Sequence, residues 1–277
     1  MNKILFFLIL LCSLFFLFCG GVCVSAAAEE YTLSMQPLFS QEKTTAVLTS
    51  LAKALTKETG NTISPLPVQN TDQYTADILH GNIVVGYENP SVYVRLSGVH
   101  EVIAAAVQGE DDKGLRGIII SRPEAGITKL TDLKDKNIMI VSRNSAGGFL
   151  SQKLSLREEG IDVEWDCQLS EAAEGREENI IISVSIGDVD AGFISKAALH
   201  AADRYIVPGS VTTVAETAPL PNWTFSVSRN MPQEQKDDLR EALLRLPEDT
   251  PAFRVLGITG FKAASDTDYD IIRSITD

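Results

Sequence analysis

The sequence predicts an α/β fold in which helices pack on a mostly parallel β-sheet. Strand-like and helix-like segments alternate along the chain from Tyr31 onward, and this alternation is typical of layered α/β proteins. The 277 residues, 44% of them hydrophobic, suffice for one large or two medium domains with a sizeable core. No internal repeat or Pro/Gly/Ser-rich linker divides the chain, so two lobes would require the chain to cross between them more than once.

The first half of the chain supplies strand and helix patterns in turn. YTLSM (31–35) predicts a short strand. Residues 41–60 predict a helix, because their valine and leucines recur on one helical face and Gly60 is suited to end it. The remaining segments are the strand-like NIVVGY (82–87), the apolar run 99–109, the strand-like GLRGIIIS (114–121), a helical turn within 127–136 and the strand-like NIMIVS (137–142).

The second half continues the alternation. Residues 150–160 and 231–246 predict helices, the second with Asn230 as its candidate N-cap and leucines on one face. Residues 178–188 fit either a helix or a strand by composition, and 269–275 predict a last helix. The strand-like segments are 161–168, 190–195, 204–210 and 223–228.

Charge and cysteine content exclude several classes of protein. The formal net charge is −13, which argues against nucleic-acid binding, because a phosphate backbone requires clustered Lys and Arg. Three of the four cysteines lie in the first 28 residues, and Cys167 remains alone, so neither an internal disulfide nor a metal cluster is expected. No P-loop and no G-x-G-x-x-G motif is present, and no cofactor is predicted.

The first 28 residues predict a secretory signal peptide. Lys3 precedes a run of 15 apolar residues, and the segment ends in Ala-Ala-Ala, the pattern of an export signal. Cleavage is expected after Ala28, which gives an exported, extracytoplasmic protein. An uncleaved anchor and a lipoprotein anchor at Cys19 are the alternatives. The apolar run is short for a membrane span, and Phe18 is large for a lipoprotein signal.

The corner between residues 142 and 150 (SRNSAGGFL) is the strongest candidate site. A strand-like run ends there and a helix begins, and ligands of α/β sheets bind outside the carboxyl ends of strands. The helix start offers unpaired N–H groups and a positive dipole end, Ser145 a hydroxyl, and Gly147 and Gly148 close backbone approach. The corner is therefore either an oxyanion cradle or a plain N-cap with glycines easing the turn.

Three further side chains are candidate ligand contacts. Tyr87 and Tyr93 end or follow the NIVVGY strand, where aromatic rings either wall a small-molecule cleft or pack in the core. Asp190 begins a strand-like segment. Its carboxylate would accept a hydrogen bond from a protonated or amine-bearing ligand, or cap a turn.

A serine hydrolase is the enzymatic alternative, and the sequence argues against it. A nucleophile elbow has the pattern G-x-S-x-G, whereas Arg143 occupies the first glycine position here. His200 is the one histidine after the corner that would serve as general base. The protein is therefore not expected to be an enzyme.

The chain resembles the phosphate/phosphite/phosphonate-type solute-binding proteins of ABC transporters, the PhnD-like family. The resemblance covers nearly the whole chain after residue 28, and it rests on the order and spacing of several stretches. These are GNIVVGYENPSVYV (81–94), residues 101–142, NSAGGFL (144–150), SIGDVDAGFIS (185–195) and LGITGFKAASDTDYDIIRSI (256–275).

The resemblance implies a type 2 periplasmic-binding-protein fold, in which two α/β lobes close on a solute in the cleft between them. It implies lobe 1 at 31–120 plus 213–277 and lobe 2 at 121–212. It also implies a small oxyanion ligand, an ABC permease as partner, a monomer, and no bond made or broken. A sensor module that works with a membrane histidine kinase is the alternative, and neighbouring genes would discriminate the two.

The family's site residues carry over unevenly onto this chain. The anion-binding corner falls on Ser145, Ala146, Gly147 and Gly148, where Gly147 replaces a usual hydroxyl residue. A usual histidine falls on Glu177, whose carboxylate would repel a phosphonate unless another charge intervened. This departure leaves a different solute, such as an amine-bearing one, as an alternative ligand.

Two other positions bear on the same cleft. Tyr93, with Pro90, matches the family's P-x-x-Y, while Val84 replaces a usual acidic residue. Arg143 either supplies a compensating charge beside Ser145, since arginine suits bidentate oxyanion binding, or points into solvent.

Overall fold

The computed structural model describes residues 29–109 and 114–276, so the predicted signal peptide at 1–28 lies outside the described residues. The chain forms two β-sheets covered by helices, as the alternation of segments predicts. The expectation of a mostly parallel sheet is wrong, because both sheets combine parallel and antiparallel pairings. Within the part of the chain described, no helix is both long and apolar enough to cross a membrane.

The first sheet has six strands in the order β11-β4-β10-β3-β1-β2. Strand β1 is parallel to β2 and β3, whereas β10 is antiparallel to β3 and β4 and β11 is antiparallel to β4. The strands are β1 (Glu30–Met35), β2 (Thr62–Pro65), β3 (Val85–Glu88), β4 (His100–Val107), β10 (Thr224–Ser228) and β11 (Gly260–Ala263).

Helices cover both faces of this sheet. One face packs on α1, α7 and α8 and the other on α2 and α3. Helix α1 confirms its predicted apolar face, since its valine and leucines are buried, and Gly60 ends it in a left-handed conformation at φ 75°. The helices are α1 (Gln41–Thr59), α2 (Thr71–Leu79), α3 (Pro90–Leu96), α7 (Gln233–Arg245) and α8 (Pro251–Leu256).

The second sheet has five strands in the order β7-β6-β8-β5-β9. Strand β6 is parallel to β7 and β8, and β5 is antiparallel to β8 and β9. The elements of this lobe are β5 (Gly117–Ser121), β6 (Asn137–Ile140), α4 (Ser151–Glu158), α5 (Val163–Asp166), β7 (Gln168–Glu171), α6 (Glu177–Ile186), β8 (Ala191–Ser195) and β9 (Thr212–Glu216).

The chain crosses between the two sheets twice, after β4 and after β9. The two crossing segments meet in an antiparallel bridge, where the N–H of Leu115 donates to the carbonyl of Leu220 at 2.9 Å and the reverse bond is 2.8 Å. The expected lobe limits at 120/121 and 212/213 therefore need correction. They cut through β5 and β9, which belong wholly to the second sheet because they pair with each other and with β8.

The helix α9 (Asp270–Thr276) contacts both lobes. Tyr269, just before it, packs edge-on against Tyr93 of the first lobe with ring centroids 5.0 Å apart. Arg157 of the second lobe donates to the carbonyl of Ser274 at 2.6 Å. Tyr93 and Tyr269 belong to one buried apolar cluster that runs from α3 through α9 into the corner of the second lobe, whereas the bond from Arg157 is exposed.

Two strand predictions are wrong and several elements were not predicted. Residues 161–168 form the short helix α5 before β7, because Asp162 caps the turn by accepting from the N–H of Glu164 at 3.0 Å. Residues 204–210 form turns, and the strand begins at Thr212. The ambiguous segment 178–188 lies in helix α6 and the turn that ends it. The unpredicted elements are β2, α2, α3, α8 and β11.

A buried carboxyl group lies on the inner face of the first sheet. Tyr74 donates to Glu88 Oε2 at 2.5 Å, while Glu88 Oε1 is buried without a hydrogen-bond partner among the described residues. Burial raises the pKa of Glu88 to about 7, although hydrogen bonds from Ser226 and Tyr74 oppose the rise. Nearby, burial lowers the pKa of His100 to about 4.

We expect Glu88→Gln to change how stability depends on pH. Between pH 4.5 and 7 folded Glu88 keeps a proton that the unfolded chain has released, so its contribution to stability falls as pH rises. A rise in pKa from 4.5 to about 7 corresponds to about 3 kcal/mol. The difference in unfolding free energy, Glu88→Gln minus parent, should therefore increase by about that amount as the pH rises from 4.5 to 7.

Urea unfolding at several pH values measures this difference. The opposite pH trend from His100 is common to both proteins, so it cancels in the comparison. Glu58→Gln, at an exposed position on α1, is the matched control and should follow the parent. A difference between Glu88→Gln and the parent that stays constant with pH would contradict the assignment.

Candidate functional site

A cleft of about 820 Å³ lies between the two lobes. The first lobe contributes residues that follow β1 and β3, and the second contributes residues that follow β6 and β8. Both sets lie at the carboxyl ends of strands, where α/β proteins bind ligands. The lining includes Gln36, Pro37, Leu38, Asn89, Gln108, Leu115, Arg116, Ser142, Asn144, Ser145, Gly147, Glu174, Glu177, Ser195, Lys196 and Trp223.

Ser145 begins a wide helical turn at the edge of this cleft. The N–H of Leu150 donates to the Ser145 carbonyl at 2.9 Å, and the N–H of Ser151 donates to the Ala146 carbonyl. Such five-residue hydrogen bonding is rare and is frequent at functional sites. Ser145 Oγ accepts from the N–H of Gly148 at 3.0 Å, which leaves the hydroxyl hydrogen available for donation.

The corner leaves no room for a side chain at Gly148 and little room for one at Gly147. A Cβ on Gly148 would lie 2.2 Å from Val141 Cγ2, and a Cβ on Gly147 would lie 3.0 Å from Leu115 Cδ2. Gly147 lines the cleft, whereas Ala146 is fully buried in the apolar cluster. No acceptor outside the turn pairs with the N–H of Ala146 or Gly147 among the described residues.

One buried amide ties this corner to two strands. Gln152 is fully buried. Its Nε2 donates to the carbonyls of Gly147 at 2.9 Å, Ile118 at 3.1 Å and Ile194 at 3.0 Å. The corner, β5 and β8 are therefore held together by side-chain hydrogen bonds in addition to the ladder of the sheet.

Two cations from these strands face the cleft. Arg116 precedes β5 and Lys196 follows β8, and the N–H of Lys196 donates to the Arg116 carbonyl at 2.9 Å. Glu216 forms ion pairs with both, 3.3 Å from Arg116 Nη1 and 2.7 Å from Lys196 Nζ. The Nε of Arg116 is buried and has no acceptor among the described residues, so the guanidinium retains an unused donor.

Glu177 lines the cleft from the start of α6, and Ser195 occupies both of its oxygens. The Ser195 N–H donates to Oε1 at 2.5 Å and the Ser195 hydroxyl to Oε2 at 3.1 Å. Burial raises the pKa of Glu177, and the two bonds from Ser195 oppose the rise. The carboxyl group therefore takes up a proton more readily than an exposed glutamate does.

The expectation that Tyr87 and Tyr93 wall the cleft is corrected, because both rings are buried in the protein. Tyr87 packs among Trp223, Phe225 and Phe261. The Tyr93 hydroxyl donates to Asp266 at 2.6 Å and accepts from the N–H of Val102 at 3.2 Å.

Asp190 and Arg143 also lie away from the cleft. Asp190 precedes β8 and therefore lies at the opposite end of that strand from Ser195. Its carboxylate accepts a hydrogen bond from the N–H of Asn137 at 3.0 Å. Arg143 is about half exposed and pairs with Glu164 at 2.7 Å on the outer surface. A charge at Arg143 therefore does not compensate for Glu177.

Sequence reasoning missed the two cations and the aromatic ring of the cleft. Arg116 lies near the start of one strand-like segment, Lys196 follows another, and Trp223 begins a third. Position at a strand end was therefore an available signal for all three, but the direction in which each side chain points depends on contacts distant in sequence.

The two lobes contact each other across the cleft. The Ser91 hydroxyl, at the start of α3, donates to the carbonyl of Asn144 in the corner at 2.6 Å. The backbone N–H of Ser91 donates to Asn89 Oδ1 at 3.0 Å, so the corner is joined to the cap of α3.

Among the described residues, no group of three or more His, Cys, Asp or Glu side chains is arranged to hold a metal ion. The binding groups of the cleft are hydroxyls, amides, backbone N–H groups and charged side chains.

The sequence matches a family model over residues 33–269, that of the ABC transporter phosphonate periplasmic substrate-binding proteins. The chain belongs to this family. Its members are substrate-binding components of transporters, which implies a small-molecule ligand, a membrane permease as partner and a periplasmic location.

Solved structures share the two-lobe fold with this family member. A binding component of an ABC phosphonate transporter from Pseudomonas aeruginosa is 13% identical, covers 90% of this chain and 86% of its own, and gives a TM-score of 0.68. PhnD1 from Prochlorococcus marinus in complex with methylphosphonate is 16% identical, with coverages of 89% and 97% and a TM-score of 0.71. A Xanthomonas citri protein bound to ATP is 16% identical, with coverages of 90% and 96% and a TM-score of 0.73.

Proposed function

We propose that this protein captures a phosphorus oxyanion, namely phosphate, phosphite or a phosphonate, and delivers it to an ABC permease. The observation that carries the proposal is that the Ser145–Gly147 corner and the cations Arg116 and Lys196 face one cleft. We further propose that the protein is exported after removal of residues 1–28, acts as a monomer and makes no covalent bond.

The anionic end of the ligand would be held by donors of the second lobe. The Ser145 hydroxyl and the N–H of Gly147, two residues that line the cleft, would donate to its oxygens. Arg116 would add a charge-assisted bond through its unused Nε–H. The oxyanion would replace part of the ion pairing that Glu216 provides to Arg116 and Lys196.

Glu177 is compatible with an anion in this cleft. Its oxygens accept from Ser195, and burial raises its pKa, so protonation beside an anion costs less than for an exposed glutamate. Glu174 and Glu177 also make an amine-bearing phosphonate a second candidate, because an ammonium group would pair with either carboxylate.

A thermal-shift screen tests the proposal. The purified protein would be mixed with phosphate, phosphite, methylphosphonate, 2-aminoethylphosphonate, sulfate, and amines and amino acids without phosphorus. Ligand at 100 times its Kd should stabilise the protein by about 2.7 kcal/mol, and Ser145→Ala should reduce the shift. If no phosphorus oxyanion raised the Tm of ligand-free protein, the proposal would be contradicted. If only phosphorus-free amines raised the Tm, the cleft would be assigned to a cationic ligand.

A further inference from the structure

We infer that the ligand carries a flat aromatic group beside its phosphorus oxyanion, and that Trp223 is the residue that recognises this group. The inference rests on the proposed function, because it names the ligand class of the same cleft.

Trp223 is a rigid aromatic surface at the wall of the cleft. It lies on the crossing segment just before β10, and its ring packs on Tyr87 with centroids 5.3 Å apart and planes tilted by 35°. Tyr87 is in turn fixed by Phe225 and Phe261, each 6.1 Å away. Trp223 remains partly exposed and lines the cleft. Because the ring is already held in place, stacking a ligand on it loses little conformational entropy.

The cleft is larger than a simple phosphonate requires. Its volume of about 820 Å³ lies in the range of about 300–1,000 Å³ that is typical of pockets for drug-sized molecules. The hydrogen bond between Ser91 and Asn144 already joins the lobes on one side, so this space is present with the lobes in contact. Methylphosphonate would leave most of it to water.

The lining is divided between charged and neutral groups. The corner and the cations Arg116 and Lys196 suit an anionic end. Pro37 and Leu38 of the first lobe present apolar surface and Gln108 presents an amide, whereas the Gln36 amide already pairs with Asn89 and Thr71. Neutral amides and apolar side chains suit the edge and faces of a ring that carries heteroatoms. A phosphorus oxyanion joined to an aromatic group matches both parts of the lining.

Intrinsic fluorescence tests the inference directly. The chain has two tryptophans, and Trp165 is 88% exposed on α5, so Trp165→Phe leaves Trp223 as the single reporter. Methylphosphonate, phenylphosphonate and benzyl alcohol would be titrated into this variant, and calorimetry would give each Kd. Phenylphosphonate should quench Trp223 and bind at least about 10-fold more tightly than methylphosphonate, because aromatic stacking is worth this much.

Substitution of Trp223 provides the second test. In Trp223→Leu the ratio of the two phosphonate affinities should fall to about one, whereas Trp223→Phe, which keeps an aromatic surface, should retain part of the preference. Equal affinities for the two phosphonates in the parent protein would overturn this inference while the proposed function stands. If neither phosphonate bound, and phosphate and phosphite did not bind either, this inference and the proposed function would both be overturned.

Discussion

Gly148→Ala should weaken ligand affinity by at least about 10-fold and should lower the Tm by about 2–10 °C. The added Cβ would lie 2.2 Å from Val141 Cγ2 and 2.7 Å from Val141 Cβ, so the turn must shift. Overpacking of this kind costs about 1–3 kcal/mol. The shift also moves Ser145 and Gly147, whose donors lose hydrogen-bond geometry when displaced.

Because the expected effect is steric, the control is a Gly→Ala substitution at a position where the added methyl group meets no neighbour. Gly98→Ala introduces the same methyl group in the first lobe, where no heavy atom lies within 4 Å of the new Cβ. Its stability should stay within about 0.5 kcal/mol of the parent. Calorimetric titration and a thermal melt of both variants make the comparison. Parent-like affinity and Tm in Gly148→Ala would show that the corner tolerates a side chain.

Arg116→Gln should weaken binding of a phosphorus oxyanion by about 10- to 100-fold. The guanidinium lines the cleft and keeps an unpartnered, buried Nε–H, and hydrogen bonds to a charged group are worth about 1.5–3 kcal/mol. Stability should change little, because Glu216 keeps its 2.7 Å pair with Lys196. Calorimetric titration of the variant measures the loss.

Arg143→Gln is the matched control for this prediction. Of the two alternatives for Arg143, a charge beside Ser145 or a side chain in solvent, the structure favours the second, because Arg143 pairs with Glu164 on the outer surface. We expect its affinity to stay within about 2-fold of the parent, because an exposed ion pair contributes little. A larger loss in Arg143→Gln than in Arg116→Gln would reverse the assignment of the two arginines.

The strands and helices with strong local patterns were predictable from the sequence. Helix α1 and strand β5 have periodic or continuous apolar residues, which local sequence determines. Helix α3 was missed because its seven residues follow directly on β3. The segment at 161–168 was misassigned because the cap formed by Asp162 outweighs the β-branched residues around it.

The candidate site was predictable only where backbone geometry defines it. Ser145 and Gly147 line the cleft because a strand-to-helix turn has a local signature. Tyr87 and Tyr93 instead join the core, since the pleat of β3 and the packing of α9 decide which way each ring points. Arg116 was missed because its role depends on the pairing of β5 with β8, which is a long-range contact.

The contact of α9 with both lobes has a consequence for the energetics of transport. Opening the cleft would separate the apolar contacts that join Tyr93, Tyr269 and the corner in one cluster. The free-energy cost is about 25 cal/mol for each Å² of apolar surface exposed. Any motion that separates α3 from the corner therefore exposes apolar surface and raises the free energy of the protein. The C-terminal helix, which pairs with neither sheet, thus contributes to the free energy that opening of the cleft requires.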